Sequence, residues 1–263
     1  MQISNITSIS NITSITTESS LKIGVVTDVH WADKDANPVG HLQNYRDAKK
    51  KLGAAMSEFE SWGADMVIEL GDFIDEGYDG TVWDEIDDVY TDTTISPLKY
   101  AIGNHDATSE SERTSWKTKT GNSSSSYYSF DIEETHVIVL DGLYNSSGDF
   151  DNTTPLYISS TQLTWLENDL DSTSNKIIVF CHYPLYDQSD ISNAGSVRTL
   201  LEAKGSSNIL AVINGHEHEQ KSTTVNSIDY YAVDANVDSP FPTAAYAQVT
   251  VTDGVFSIEN FTS

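Results

Sequence analysis

The chain is poor in cysteine and in basic residues. It has a single cysteine, Cys181, among 263 residues, so it cannot form an internal disulfide. This excludes the disulfide-stapled class of small secreted modules. Lysine and arginine number 14 against 40 acidic residues, which gives a formal net charge of −26. Such a surface repels nucleic-acid phosphates and anionic lipid, so a nucleic-acid polymer or a membrane is not the expected partner.

Long apolar runs are also missing. No run approaches the roughly 18 residues that a membrane span needs. Residues 1–20 have neither a basic start nor a continuous apolar stretch, so they do not resemble a signal peptide. They repeat the hexapeptide Ser-Asn-Ile-Thr-Ser-Ile, and we expect a flexible leader there, followed by one domain over residues 21–263. A cytoplasmic location is expected, and a leader at the cell surface is the alternative.

The acidity predicts adaptation to salt. Self-repulsion of the excess negative charge destabilises a compact state at low ionic strength, and dense salt screens it. We therefore expect a protein from a salt-loaded cytoplasm. An acidic protein from ordinary cytoplasm is the alternative.

Short apolar runs alternate with amphipathic stretches, a pattern typical of an α/β domain with mixed sheets. Residues 107–126 are polar and predict a surface loop, residues 75–92 predict a solvated acidic face that is partly helical around 83–90, and residues 223–260 contain three alternating runs. Helices are predicted over 45–62, 161–170 (with Thr161 as a possible cap) and 195–204, and strands over 21–27, 64–70, 97–102, 127–131, 136–141, 176–181 and 208–213.

Five of the predicted strands end in residues that can bind a metal. Loops at the carboxyl ends of strands form the active sites of α/β folds. Each motif alone is weak, but all five in order, each after a strand, form a specific pattern. The motifs are Asp28-Val29-His30, Gly71-Asp72, Gly103-Asn104-His105-Asp106, Cys181-His182 and Gly215-His216-Glu217-His218.

This set resembles the calcineurin-like metallophosphoesterases, whose motifs are D-x-H, G-D, G-N-H-[DE], H and G-H-x-H. The resemblance covers residues 21–220 and implies a four-layer α/β/β/α sandwich of two mixed β-sheets flanked by helices. Residues 28–35, 44–47, 70–77 and 127–142 are similar to one branch, the manganese-dependent ADP-ribose/CDP-alcohol diphosphatases and class III cyclic-nucleotide phosphodiesterases.

The resemblance implies two divalent metal ions. Asp72 would bridge them, Asp28, His30 and His218 would hold one, and Asn104, His182 and His216 would hold the other. This mixture of imidazole, carboxylate and amide donors suits Mn²⁺, Fe or Zn²⁺ rather than Ca²⁺, and Mn²⁺ is the favoured ion. The local charge of the ions would also let so acidic a protein attract an anionic substrate.

The resemblance places His105 on the leaving-group side, with Asp106 as a partner that could orient its imidazole. A histidine that only fills a turn is the alternative. Arg46 could bind a second phosphate, or it could be a surface arginine paired with acidic residues. Tyr45 could stack on a nucleobase, or it could belong to the apolar stripe of the helix. Cys181 is expected to be a buried strand-end residue rather than a nucleophile.

The predicted function is hydrolysis of P–O bonds by a metal-activated water. The expected substrates are small phosphorylated molecules, foremost the phosphodiester or pyrophosphate bonds of nucleotides and nucleotide-like compounds. A broad phosphomonoesterase and a non-catalytic scaffold of the same fold are the alternatives. All seven predicted ligands and His105 are present in the sequence, which disfavours the scaffold.

Overall fold

The central strands bury both of their faces. The computed structural model of the chain describes residues 20–37, 43–238 and 240–262. Successive side chains of a strand point to opposite faces, and here both faces are apolar. In strand β6 (Lys176–Cys181), Ile178 and Phe180 pack in the core between two sheets, whereas Ile177 and Val179 pack in a second core that includes the helices. The chain therefore folds as four layers, as the resemblance implies.

The first sheet has five strands in the order β11-β10-β1-β2-β3. Strands β1, β2 and β3 are parallel, and β10 is antiparallel to both of its neighbours. The strands are β1 (Ser20–Val26), β2 (Met66–Glu69), β3 (Leu98–Tyr100), β10 (Ala245–Thr252) and β11 (Val255–Thr262).

The second sheet has six strands in the order β4-β5-β6-β7-β9-β8. Its central strands β5, β6, β7 and β9 are parallel, and the edge strands β4 and β8 are antiparallel to their neighbours. Besides β6, the strands are β4 (Tyr128–Ile132), β5 (Thr135–Leu140), β7 (Ile209–Asn214), β8 (Lys221–Val225) and β9 (Ile228–Ala232).

Five α-helices complete the described part of the chain. Helix α1 packs on β1 and β10 and also contacts α2, whereas α4 and α5 contact each other and contribute to the core on the far side of the second sheet. The helices are α1 (Ala48–Trp62), α2 (Gly80–Thr91), α3 (Glu110–Lys119), α4 (Ser160–Ser172) and α5 (Ala194–Lys204). Two mixed sheets between helices confirm the predicted fold class.

Several local predictions were wrong. Residues 107–126 are not all loop, because Ser109 caps helix α3 by accepting a hydrogen bond from the backbone N–H of Glu112. The cap of α4 is Ser159 rather than Thr161. The tail forms four strands instead of three runs, since Asn226 and Ser227 adopt positive φ and turn the first run into a hairpin.

The predicted leader lies outside the described residues, except that Ser20 already begins β1. Among the residues that the structure describes, no helix has the length and apolarity needed to cross a membrane.

Candidate metal centre

The five motif loops meet at one end of the sandwich. The loop after β1 runs beside the loop after β2, with the N–H of Asp28 donating to the carbonyl of Gly71 (3.0 Å) and that of His30 to Asp72 (2.9 Å). In the second sheet the N–H of Gly215 donates to the carbonyl of His182 at 3.1 Å. The carboxyl ends of strands from both sheets thus deliver their loops to a common site.

Two motif glycines allow the loops to approach this closely. A Cβ on Gly103 would lie 2.2 Å from Oδ1 of Asp72, and a Cβ on Gly215 would lie 2.0 Å from Oγ1 of Thr27 and 2.6 Å from Oδ2 of Asp28. Any side chain at either position would displace a predicted ligand. Lack of space for a side chain therefore explains why these two motif positions are glycine.

Backbone strain is concentrated at the predicted ligands. Of the nine non-glycine residues with positive φ in the described part of the chain, five are predicted ligands, and the other four are Glu133, Asn226, Ser227 and Asp253. A non-glycine residue in this region costs on the order of 1 kcal/mol or more, and such strain clusters at functional sites. The five ligands are Asp28 (φ 51°), His30 (47°), Asp72 (58°), His216 (68°) and His218 (53°).

Three predicted ligands form a first cluster. Oδ1 of Asp28 lies 3.3 Å from Nε2 of His218 and 3.8 Å from Nε2 of His30. The side chains of Asp28 and His30 are buried, and that of His218 is nearly so. One carboxylate and two imidazoles converge here, as the resemblance implies for one ion.

A second cluster lies beside the first and shares Asp72 with it. Oδ2 of Asp72 is 3.2 Å from Nε2 of His182 and 3.6 Å from Nε2 of His30. His216 joins through its ring, whose centroid is 5.1 Å from that of His182. The other oxygen of Asp72 accepts the N–H of His105 at 2.8 Å. Asp72 therefore faces both clusters, the position expected of a bridging ligand.

Unpartnered buried atoms test whether these residues fit a cation. Oδ1 of Asp28, Nε2 of His30 and Nε2 of His182 are buried and make no hydrogen bond. A buried polar atom without a partner costs about 1–3 kcal/mol, so native structures seldom leave three together. All three point into the two clusters, and divalent ions coordinated there would satisfy them. The donor set fits a pair of metal ions.

Hydrogen bonds on the far side of the rings hold three histidines with Nε2 facing the clusters. Nδ1 of His30 lies 2.9 Å from Oδ1 of Asp75, that of His182 lies 3.0 Å from the carbonyl of Leu70, and that of His218 lies 2.8 Å from Oδ1 of Asp238. Each partner can only accept, so Nδ1 carries the proton and Nε2 is left with a lone pair for a metal when the ring is neutral.

The carboxylates and imidazoles of the two clusters shift one another's pKa values. Burial opposes protonation of these imidazoles, but contact with carboxylates outweighs it. Asp28 and Asp75 raise the pKa of His30 to about 9, Asp72 raises that of His182 to about 9, and Asp238 and Asp28 raise that of His218 to about 11. In turn, the histidines hold the pKa of Asp28 and of Asp72 below its usual range despite burial. The site is built to concentrate positive charge beside carboxylates.

Asn104 approaches the second cluster from the loop after β3. The amide is half-buried, and its Oδ1 accepts a hydrogen bond from the hydroxyl of Tyr183 at 2.9 Å. The ring of Tyr183 lies 4.5 Å from that of His216, centroid to centroid. Tyr183 therefore links the amide of Asn104 to His216 of the second cluster.

His105 is the most accessible histidine of the site, with 39% of its side chain exposed. Its Nδ1 donates to the carbonyl of Asp75 at 2.6 Å, which leaves Nε2 as the nitrogen able to exchange a proton with a bound molecule. One nitrogen of His105 is also within 4.8 Å of ligand atoms of His30 and Asp72. His105 therefore lies at the exposed edge of the two clusters.

The predicted contact between Asp106 and His105 is not made. Oδ2 of Asp106 accepts the N–H groups of Asp72 (2.9 Å) and Gly103 (2.8 Å), and Oδ1 accepts those of Phe73 and Ile74. Burial and the charge of Asp72 raise the pKa of Asp106 to about 6. Asp106 ties two motif loops together, and the residue that orients His105 is Asp75.

Arg46 pairs with acidic residues at the surface, and Tyr45 is buried outside the helix stripe. The exposed guanidinium of Arg46 is held by Asp33, at 2.6 Å from Nε, and by Asp35. Tyr45 is 5% exposed; it lies in a 3-10 turn before α1 and packs with Ala32, Ala235 and Val237 rather than with the apolar stripe of α1. Cys181 is buried at the end of β6, and burial raises the pKa of its thiol to about 12, as expected of a residue that is not a nucleophile.

Two acidic residues of the site were not predicted from the sequence. Asp75 lies in the stretch predicted to be a solvated face, but its side chain is 5% exposed and holds His30. Its position three residues after Asp72, in the same loop, was a usable signal. Asp238 holds His218 from the segment between β9 and β10, where no motif marked it. His41 lies outside the described residues, and His136 is on β5, paired with acidic residues away from the motif loops.

The chain is similar to several known proteins. A probable cyclic nucleotide phosphodiesterase from Fibrobacter succinogenes is 25% identical over 231 residues, covering 82% of this chain and 83% of that protein. The crystal structure of a dimetal phosphatase from Danio rerio superposes with a TM-score of 0.69 at 18% identity, covering 92% and 98% of the two chains. The structure of GAP50, the anchor in the inner membrane complex of Plasmodium, superposes with a TM-score of 0.65 at 13% identity, covering 92% of this chain and 84% of that chain. At these identities the two solved structures establish the fold alone.

The sequence model of the calcineurin-like phosphoesterases matches residues 21–220, which span all five motifs. A match of this length, on a fold of two mixed sheets with the motifs gathered at one end, establishes the family. The chain belongs to the calcineurin-like phosphoesterases and is a metal-dependent phosphohydrolase.

Proposed function

We propose that this protein hydrolyses phosphodiester or pyrophosphate bonds of nucleotides or nucleotide-like small molecules with the help of two divalent ions, Mn²⁺ foremost, in a salt-rich cytoplasm. Asp28, His30 and His218 would hold one ion, Asn104, His182 and His216 would hold the other, and Asp72 would be shared by the two sites. Fe and Zn²⁺ are chemically compatible with the same donors.

The observation that carries the proposal is the group of three buried, unpartnered ligand atoms in the two clusters, two of them beside Oδ2 of Asp72 and the third 3.8 Å from Nε2 of His30. They belong to Asp28, His30 and His182, which arrive from three different loops. Packing alone gives no reason to bury these atoms together. A pair of bound cations would supply the missing partners, and the chemistry it would add is positive charge for binding a phosphate and for activating water.

The chain's own residues then have distinct tasks. Asp75 fixes His30 through its carboxylate and His105 through its carbonyl, so the ligand and the proposed proton donor are held by one residue. With Nδ1 of His105 engaged, Nε2 donates a proton to the departing oxygen. Because His105 is partly exposed, it can recover that proton from solvent.

The substrate class is supported by the relative from Fibrobacter succinogenes, which is described as a probable cyclic nucleotide phosphodiesterase. A cavity of about 320 Å³ lies beside the residues that follow His30 and is bordered by Trp31, Lys34 and Gly77, among others. A space of this size suits part of a nucleotide-sized molecule.

A substrate panel tests the function. Cyclic AMP, ADP-ribose, CDP-choline and p-nitrophenyl phosphate would be assayed with Mn²⁺ in high-salt buffer, with chelated protein as the blank. We expect turnover of a diester or pyrophosphate to exceed that of the monoester. Asp28→Asn should abolish turnover, whereas Asp229→Asn, a change on the exposed side of β9, should not. Preference for the monoester would favour the phosphomonoesterase alternative, and no turnover of any compound would favour a scaffold.

A further inference from the structure

Tyr183 touches three predicted ligands of one ion. It follows His182 at the end of β6 and is 1% exposed. Its hydroxyl donates to Oδ1 of Asn104 at 2.9 Å, and its ring centroid lies 4.5 Å from that of His216 and 5.1 Å from that of His182. These three ligands come from three different loops, and Tyr183 contacts all of them.

The hydroxyl of Tyr183 donates to Asn104, a ligand whose side chain can present either its oxygen or its NH₂ group to a metal. Asn104 is the neutral oxygen donor of the set, and an amide that rotates presents an NH₂ group, which has no lone pair for a metal. A donor fixed on Oδ1 opposes this rotation. The carbonyl oxygen has two lone pairs, so one remains for an ion while the other accepts from Tyr183.

The ring of Tyr183 packs against the backbone of Gly142, which follows strand β5. A Cβ at Gly142 would lie 2.8 Å from Cδ2 of Tyr183 and 2.9 Å from Cδ1 of Ile191. The tyrosine therefore packs directly on the backbone of Gly142, which leaves no space for a side chain at position 142. This also gives a role to the Asp141-Gly142 segment, which the chemistry of the motifs does not use.

We propose that Tyr183 is a positioning residue for the second metal site: its hydroxyl orients the amide oxygen of Asn104, and its ring supports His216. This inference rests on the proposed function, because it assigns Asn104 and His216 to an ion. The first site, built from Asp28, His30 and His218, has no contact of this kind with Tyr183 among the described interactions.

Tyr183→Phe is the sharpest test, because it removes the hydroxyl and keeps the ring. Groups that orient metal ligands typically contribute 10–100-fold to affinity. In a Mn²⁺ titration followed by calorimetry and by electron paramagnetic resonance, we expect the dissociation constant of one ion to rise at least about tenfold while that of the other is unchanged. The signal of the coupled ion pair should form only at higher Mn²⁺, and excess Mn²⁺ should restore turnover.

Two further variants keep the test independent of folding. Gly142→Ala retains the hydroxyl but displaces the ring, so it should weaken the same ion. Tyr90→Phe removes a buried hydroxyl that donates to the carbonyl of Lys99 at 2.9 Å in the first sheet, and it should leave both dissociation constants unchanged.

The results separate this inference from the proposed function. Unchanged binding of both ions by Tyr183→Phe, or equal weakening of both, would overturn the role of Tyr183 while leaving the dimetal site intact. Wild-type protein that binds fewer than two ions would overturn the proposed function itself, and this inference with it.

Discussion

His30 and Asp75 form a buried pair at the edge of the candidate metal centre, with Nδ1 of the imidazole 2.9 Å from Oδ1 of the carboxylate. The same aspartate accepts a hydrogen bond from His105 through its backbone carbonyl and pairs with Lys34 through its second oxygen. A ligand, the proposed proton donor and a lysine are thereby joined at one residue, the ligand and the lysine through its side chain and His105 through its backbone. A side-chain substitution at Asp75 should therefore act on the ion held by His30, because the carbonyl that accepts from His105 is retained.

Replacing Asp75 with asparagine should weaken binding of the ion held by His30 by about 10–100-fold, since the imidazole loses the carboxylate that orients it and makes it a stronger donor. Calorimetric titration with Mn²⁺ measures this. Glu76→Gln is the matched control, because Glu76 is the next residue and its side chain is 74% exposed. Equal affinities for Asp75→Asn and wild type would show that the pair does not support the ion.

Replacing His105 with alanine should leave both ions bound and reduce turnover by about 10²–10⁴-fold, the usual contribution of a general acid. The loss should be largest for substrates with poor leaving groups, which need the proton most. Metal content by mass spectrometry and turnover of alkyl and p-nitrophenyl esters measure the two effects. Near-normal turnover of the alkyl ester would remove His105 from the reaction.

His136 should make stability depend on pH. Its Nδ1 lies 2.8 Å from Oδ1 of Asp131 and its Nε2 lies 3.0 Å from Oδ2 of Asp169. Carboxylates only accept hydrogen bonds, so both nitrogens donate and the ring is an imidazolium. The pKa of His136 is raised by Asp169; burial of the ring acts to lower this pKa, and Asp131 raises it further. The stabilisation is fully present below the unfolded value of about 6.5 and is lost as the pH rises through the higher folded value.

The variant His136→Gln should accordingly lower the free energy of unfolding by about 1.5–3 kcal/mol at pH 6, the range for hydrogen bonds to charged groups. At pH 9 to 10 the difference from wild type should shrink. Urea unfolding at the two pH values measures it, with wild-type protein in the same buffers as the control. A difference that stays constant with pH would contradict the imidazolium.

Salt should stabilise the protein if its acidity reflects a salt-rich cytoplasm. With a net charge of −26, screening relieves repulsion across the surface. We expect the melting temperature to rise by at least about 5 °C between 0.1 and 2 M KCl, which corresponds to roughly 1–2 kcal/mol for a domain of this size. A flat curve over that range would favour the alternative of an acidic protein from ordinary cytoplasm.

The loops of the site could be predicted from sequence because parallel strands deliver their carboxyl ends to one edge. Asp28, Asp72 and His182 each follow an apolar run directly, and the structure brings them together. Helix α3 was missed because its composition is polar, although Ser109 and Glu112 form a capping signal that could have located its start.

Asp238 could not be predicted in the same way. It lies 20 residues after His218, its partner, beyond two strands of the tail. The contact depends on how the segment after β9 crosses beneath the first motif loop, where the N–H of Val237 donates to the carbonyl of Asp28 at 3.0 Å. Such a tertiary path leaves no periodicity or motif in the chain.

The motif loops come from different halves of the sandwich, with Asp28, Asp72 and Asn104 on the first sheet and His182 and His216 on the second. Cations held among them would cross-link the two sheets at this end and oppose their separation. Removal of metal by a chelator should therefore favour local opening of the motif loops, at concentrations of denaturant that leave the apolar core between the sheets folded.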